Sequence, residues 1–238
     1  WNPGVPASAV DAVRIPSGVP NFPEISAAAT CGYLLIDEGA EVVIAPGGSL
    51  TVSEKLVNNA GKDKLVIKSD NTGTGSLLHY TSGVDATVER YIPASGYHLV
   101  SVPVTQASGP VSGWFLWSYL YAYDVAAQAW NGMGGDTANP LDVNRGYMIY
   151  KYPGPAKWDP DTIYAIKGIL NSGTFYADVS YPGVSDNHSL VPNPYPSAID
   201  WNAASGWSRT NLAGSYWMWI HSSNNYGVWN GTAGTHGV

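Results

Sequence analysis

The sequence predicts an all-β protein: a short β-solenoid-like N-terminal layer followed by an antiparallel β-sandwich or jelly roll with an internal duplication. Three observations carry this. Gly (27) and Pro (17) are abundant among 238 residues, as many short strands joined by turns require. Apolar triplets separated by turn residues recur between residues 31 and 80. From residue 84 onward, alternating and aromatic strands follow one another with turn signals about every ten residues.

Taken in order, residues 1–30 form a Pro-rich, irregular lead-in. Pro3, Pro6, Pro16, Pro20 and Pro23 exclude a helix, because proline lacks the N–H and clashes with the preceding turn. One short strand is expected at Ala12 to Ile15. The layer itself is read from five runs: Leu34 to Ile36, Val42 to Ile44, Leu50 to Val52, Leu65 to Ile67 and Ser76 to Leu78. Gly39, Gly47, Gly48, Gly61, Gly73 and Gly75 mark the turns between them. Rungs this short cannot bury a face alone and must stack. A parallel solenoid is expected, with an antiparallel meander as the alternative that periodicity leaves open.

The layer is expected to span residues 1–83 and the sandwich residues 84–238. Val84, Ala86 and Val88 alternate with Asp85, Thr87 and Glu89, the pattern of a half-buried strand. Further strands are expected over 97–104, 115–123, 146–152, 162–170, 174–181, 188–191 and 216–220.

The duplication is read from four ordered features. His98 to Val104 echoes His188 to Pro194, and Gly113-Trp114 echoes Gly206-Trp207. An aromatic strand follows at 119–124 and at 216–221, then Trp130-Asn131-Gly132 and Trp229-Asn230-Gly231. The repeats span about 88–152 and 176–238. The second reaches Val238 before a counterpart of the strand Arg145 to Tyr150, so it is expected to be incomplete. A chain beginning at Trp1 is expected to be a processed mature protein or an excised fragment.

Charged residues are only 12% and the net charge is −7. That balance argues against nucleic-acid partners, which select a basic face, and against anionic membrane surfaces. No apolar run is long enough for membrane insertion. Cys31, the single cysteine, is expected to be a buried structural thiol.

The runs Leu65 to Leu78, Ala86 to Tyr91, Tyr97 to Pro103 and Asn193 to Trp201 resemble a β-rich module of large secreted Bacteroidetes surface proteins associated with type IX secretion. The resemblance covers residues 31–231. It implies an extracellular or cell-surface setting, beside adhesins or polysaccharide-degrading enzymes. Pro192 departs from the glycine that usually precedes Asn-Pro-Tyr-Pro in that module. The same resemblance implies O-glycosylation at Thr137 in Asp136-Thr137-Ala138 and at Thr162 in Asp161-Thr162-Ile163.

No motif for a nucleophilic triad, a zinc protease or a phosphate loop is present, and no catalytic or metal-binding residue is assigned. Glu89 beside Arg90 reads as an ion pair on a strand face. Asp159 and Asp161 offer hard oxygen ligands that suit calcium, and no other cofactor is expected. The aromatics carry the functional hint, since an indole can stack on a sugar ring while its N–H donates at the edge. Trp130 and Trp229 read as core pillars. Tyr119, Tyr121 and Tyr123 share one strand face, as do Trp217 and Trp219; one such row is expected to be inward and the other is a candidate exposed platform. Trp114, Trp117, Trp158 and Trp207 lie in loop-like surroundings, where binding residues concentrate, and are the expected ligand contacts.

The expected function is a non-catalytic module of a secreted or surface protein that binds glycan or another surface ligand. One alternative is a structural subunit completed by strand exchange with copies of itself or with neighbouring domains. The other is a fragment of a polysaccharide-active enzyme.

Overall fold

The structure is a computed structural model that describes residues 9, 11–93, 96–105, 118–133, 141–151, 162–177, 179, 183, 188–210 and 212–235. The chain is all-β, and the described residues contain no α-helix.

The apolar triplets become rungs. In chain order the first strands are β1 (Ala12–Ile15), β2 (Glu24–Ile25), β3 (Ala28–Ile36), β4 (Val42–Ile44), β5 (Ser49–Asn58), β6 (Leu65–Ile67), β7 (Ser69–Asp70), β8 (Gly73–Thr74), β9 (Ser76–His79) and β10 (Asp85–Ile92). One sheet runs β1-β3-β5-β9, and every pairing in it is parallel. The facing sheet runs β2-β4-β6-β10, again parallel. Each coil therefore gives one strand to each sheet, which decides for a solenoid over a meander. β7 and β8 form a small antiparallel ribbon set into the last coil.

Alternation explains the packing. Leu34, Ile36, Leu50, Val52 and Leu77 point inward from the first sheet, and Val42, Ile44, Leu65, Ile67 and Val88 from the second; all are buried in one core. Each such Leu, Ile or Val contributes about 1.5–3 kcal/mol on removal from water. Cys31 belongs to the same core, and burial pushes its thiol pKa up. The coils turn through left-handed glycines, as at Gly39 (φ 79°) and Gly61 (φ 88°), a conformation that a side chain disfavours.

The remaining strands are β11 (Gly96–Val100), β12 (Val104–Thr105), β13 (Ser118–Asp124), β14 (Ala129–Gly132), β15 (Tyr147–Lys151), β16 (Thr162–Leu170), β17 (Tyr216–Ile220), β18 (Asn225–Trp229) and β19 (Gly234–Thr235). β16 lies antiparallel on β10 and extends the second solenoid sheet, with β12 on its far side. A four-stranded antiparallel sheet runs β11-β15-β13-β14, and a three-stranded one runs β17-β18-β19.

The structure corrects several details. β3 and β5 are nine and ten residues long, where rungs of three or four are expected, and β3 begins inside the Pro-rich lead-in. The strand expected over 97–104 breaks at Ser101-Val102-Pro103, since Pro103 cannot donate to a ladder. Residues 174–177 and 188–191 are not strands. Glu89 and Arg90 make no ion pair with each other. Adjacent strand residues point to opposite faces, so the Glu89 carboxylate accepts from the backbone N–H of Ser69 at 3.2 Å, while Arg90 donates to the Glu89 carbonyl. Burial lowers the Arg90 pKa to about 10.

The stretch 188–201 acts as a strap. Pro192, Pro194 and Pro196 lack N–H groups, which denies it a strand, but their carbonyls and those of their neighbours remain free to accept. The Pro196 carbonyl takes the Leu77 N–H at the edge of β9 (3.0 Å). The Asn193 carbonyl takes the Ser101 hydroxyl (2.6 Å). The buried Asn171 amide donates to the Pro194 and Val102 carbonyls (2.7 and 2.9 Å) and accepts from the Thr105 hydroxyl (2.7 Å). This strap ties the solenoid edge to the antiparallel part of the chain.

A candidate ligand groove between two antiparallel sheets

The sheet β11-β15-β13-β14 has two unlike faces. His98, Ile149, Tyr147, Lys151 and Ala122 point inward and are buried. The alternate residues point outward: Tyr97 and Leu99 on β11, Met148 and Tyr150 on β15, Tyr119, Tyr121 and Tyr123 on β13. Register aligns Tyr97, Tyr150 and Tyr119 across three strands, and Leu99, Met148 and Tyr121 beside them. The Tyr row expected on one strand face is thus the outer face. Tyr119 is 61% exposed.

The β17–β18 hairpin approaches this face. The Trp219 indole N–H donates to the Tyr97 carbonyl at 2.9 Å. Beyond β17, His221 in a single 3-10 turn stacks on His98 with ring centroids 4.2 Å apart. Between hairpin and sheet lies a cavity of about 320 Å³ lined by Tyr97, Leu99, Tyr121, Trp130, Met148, Trp219 and Tyr226. That volume suits a small ligand, at the lower end of the roughly 300–1,000 Å³ range of binding pockets. Two ring pairs brace its walls, Tyr123 against Trp130 (5.1 Å) and Trp219 against Tyr226 (5.0 Å). The lining offers aromatic faces, one thioether and phenolic edges, and no acid or amine. It can hold an uncharged ligand with apolar ring faces and scattered hydroxyls.

The two ring pairs occupy matching places. Residues 125–128 join β13 to β14 and residues 221–224 join β17 to β18, so Tyr123 and Trp130 correspond to Trp219 and Tyr226 in the two hairpins. The Trp-Asn-Gly segments do not correspond. Trp130 sits near the start of its returning strand, whereas Trp229 ends β18.

A family model described as a domain of unknown function, DUF8693, matches residues 1–230. The chain belongs to the DUF8693 family. No curated protein and no solved structure matches it.

Of the tryptophans expected to bind ligand in this DUF8693 chain, Trp114, Trp117 and Trp158 lie outside the described residues, as do Thr137, Asp159 and Asp161. Thr162 opens β16. Trp207 lies away from the groove. It packs on Trp201 (5.0 Å), and its indole N–H donates to the Asp200 carbonyl at 2.7 Å. Arg209 stands over both rings, 5.0 Å from Trp201 and 5.6 Å from Trp207. Trp229 donates to the Asn202 side chain at 3.3 Å. Trp130, which reads from sequence as a core pillar, is instead a half-buried groove residue. Its partner Trp219 is the residue that the sequence reading underrates most. The signal for both is the period-two aromatic row on each hairpin.

The histidines at 98 and 188 diverge as well. His98 is buried within β11, while His188 lies in the strap, edge-on to Trp217 at 4.7 Å. Among the described residues no cluster of three or more His, Cys, Asp or Glu could hold a metal ion.

Proposed function

We propose that this domain is a non-catalytic binding module of a secreted or cell-surface protein, and that it takes a sugar ring of a glycan in the groove between β17–β18 and the sheet β11-β15-β13-β14. The observation that carries the reading is the lining: five aromatic rings from two sheets around a cavity of about 320 Å³, with no ionised group among them. Sugar rings present C–H faces to aromatic faces and hydroxyls to phenol edges, and such contacts survive salt because no ion pair is involved. The exposed Tyr119 and the half-buried Tyr150 extend the lining outward, which suits a chain of sugars over a lone one. The resemblance to Bacteroidetes surface modules supports an adhesive or substrate-targeting role outside the cell.

The test is retention on insoluble polysaccharides, followed by calorimetry with neutral oligosaccharides in low and high salt. Trp130→Ala and Tyr121→Ala are expected to weaken binding at least tenfold while near-UV circular dichroism shows an intact fold. Unchanged retention in both variants would sink the proposal.

A further inference from the structure

We propose a second binding site at Arg209, for a carboxylate carried on a sugar ring. It uses residues separate from the groove and does not rest on the groove reading. It sits on the other face of the β17–β18 hairpin. Trp217 and Trp219 point to one face of β17, and Tyr216 points to the opposite one, where its ring meets Trp201 at 5.4 Å.

Arg209 is held there rather than free. Its guanidinium lies over the two indoles, and its Nη1 donates to the Trp201 carbonyl at 2.7 Å. The indoles are themselves pinned. Trp207 donates to the Asp200 carbonyl at 2.7 Å and Trp201 to the Gly214 carbonyl at 3.0 Å. With both indole N–H groups engaged, the rings can offer a ligand only their faces.

The arginine has donors to spare. A guanidinium carries five N–H groups, and the backbone carbonyl of Trp201 occupies one side of the fork. Among the described residues no carboxylate pairs with Arg209, although the chain holds 18 Asp and Glu against 11 Lys and Arg. The nearby Asp200 carboxylate accepts instead from the Asn202 backbone N–H at 2.8 Å. A cation stacked on indoles, half-buried and without an anion, is a preorganised receptor. It forfeits little rotamer freedom on binding, and its planar fork matches a carboxylate in two parallel hydrogen bonds. The adjoining Trp207 face would take the apolar face of the ring that bears the acid. Together these select a uronic acid. A sulfate ester shares the negative charge but not the planar match.

The whole chain is titrated calorimetrically with an oligouronate, its carboxyl-reduced form and a sulfated neutral oligosaccharide. The oligouronate is expected to bind about fivefold or more tightly than its reduced form, as a charge-assisted hydrogen-bond pair supplies. Arg209→Lys keeps the charge and loses the fork, and should bring that preference below about twofold with near-UV circular dichroism unchanged. Trp130→Ala in the groove should weaken the reduced form and leave the oligouronate's advantage at least as large. Equal binding of the oligouronate and its reduced form by the unaltered chain overturns the proposal and needs no variant. So does a preference that survives Arg209→Lys or disappears with Trp130→Ala. Tighter binding of the sulfated ligand overturns the carboxylate assignment.

Discussion

The imidazole of His98 lies against that of His221, ring centroids 4.2 Å apart and planes inclined by 31°. Gly96 makes room for it, since a Cβ there would stand 3.0 Å from Cε1 of His221. The contact fixes the tip of the β17–β18 hairpin to β11, beside the Trp219 bond to Tyr97.

The burial of His98 at this contact predicts an acid-sensitive fold. Burial first, then the charges of His221 and Lys151, lower the His98 pKa to about 4, and among the described residues its buried Nε2 has no hydrogen-bond partner. In the unfolded chain His98 titrates near its ordinary value of about 6.5. Between those values the unfolded state holds more protons, so stability is complete above about pH 6.5 and falls as pH drops toward 4, by about 3 kcal/mol at most. The buried His79, whose pKa burial also lowers, acts in the same direction. Thermal unfolding between pH 7.5 and 4 should show this loss, and His98→Phe should flatten it. A variant slope as steep as that of the unaltered chain would remove His98 from the account.

The strap predicts a different kind of loss. The Asn171 side chain satisfies the Val102 and Pro194 carbonyls and the Thr105 hydroxyl while only 2% exposed. Asn171→Leu is of similar size but strands the two buried carbonyls of Val102 and Pro194, at about 1–3 kcal/mol for each buried unsatisfied group. Urea unfolding should show a loss of about 2–4 kcal/mol. A loss below 1 kcal/mol would mean that water replaces the amide.

Trp219→Phe removes one N–H and keeps most of the ring. The Tyr97 carbonyl then loses its donor, at about 1 kcal/mol. Because the bond spans hairpin and sheet, the effect should be local. Amide exchange in β17 and β18 should quicken, while exchange in β3 to β6 stays unchanged. Uniform quickening would show that the hairpin is integral to global stability.

The solenoid is legible because its signal is local. Short inward-facing runs such as Val42 to Ile44 alternate buried and half-buried residues as written. A second local signal accompanies it: Gly18, Gly39, Gly61 and Gly83 all have positive φ and recur about every 22 residues, one per coil. Ala28 to Thr30 escapes notice because small residues carry no apolar pattern. Leu190 and Val191 look like strand but precede three prolines in five residues. The groove was not legible, since Tyr97 and Tyr226 meet only through tertiary packing. Its components were, as the Tyr119, Tyr121 and Tyr123 row.

The coil corners supply the last prediction. A Cβ built on Gly48 would lie 2.0 Å from the Ile25 carbonyl oxygen of the coil beneath, and one on Gly75 would lie 2.8 Å from the Ile44 carbonyl oxygen. These contacts involve backbone, which belongs to the hydrogen-bonded ladder and cannot rotate aside as a side chain does. Gly61 is the useful comparison. Its φ is positive, but nothing lies within 4 Å of a Cβ there, so Gly61→Ala carries only the cost of the left-handed conformation, about 1 kcal/mol. Gly48→Ala must push two coils apart and should cost more than about 3 kcal/mol. The two variants differ in backbone approach, not in residue type, so denaturant unfolding of both separates close stacking from conformational preference. If Gly61→Ala proves as damaging as Gly48→Ala, the coil spacing at this corner is not what requires glycine.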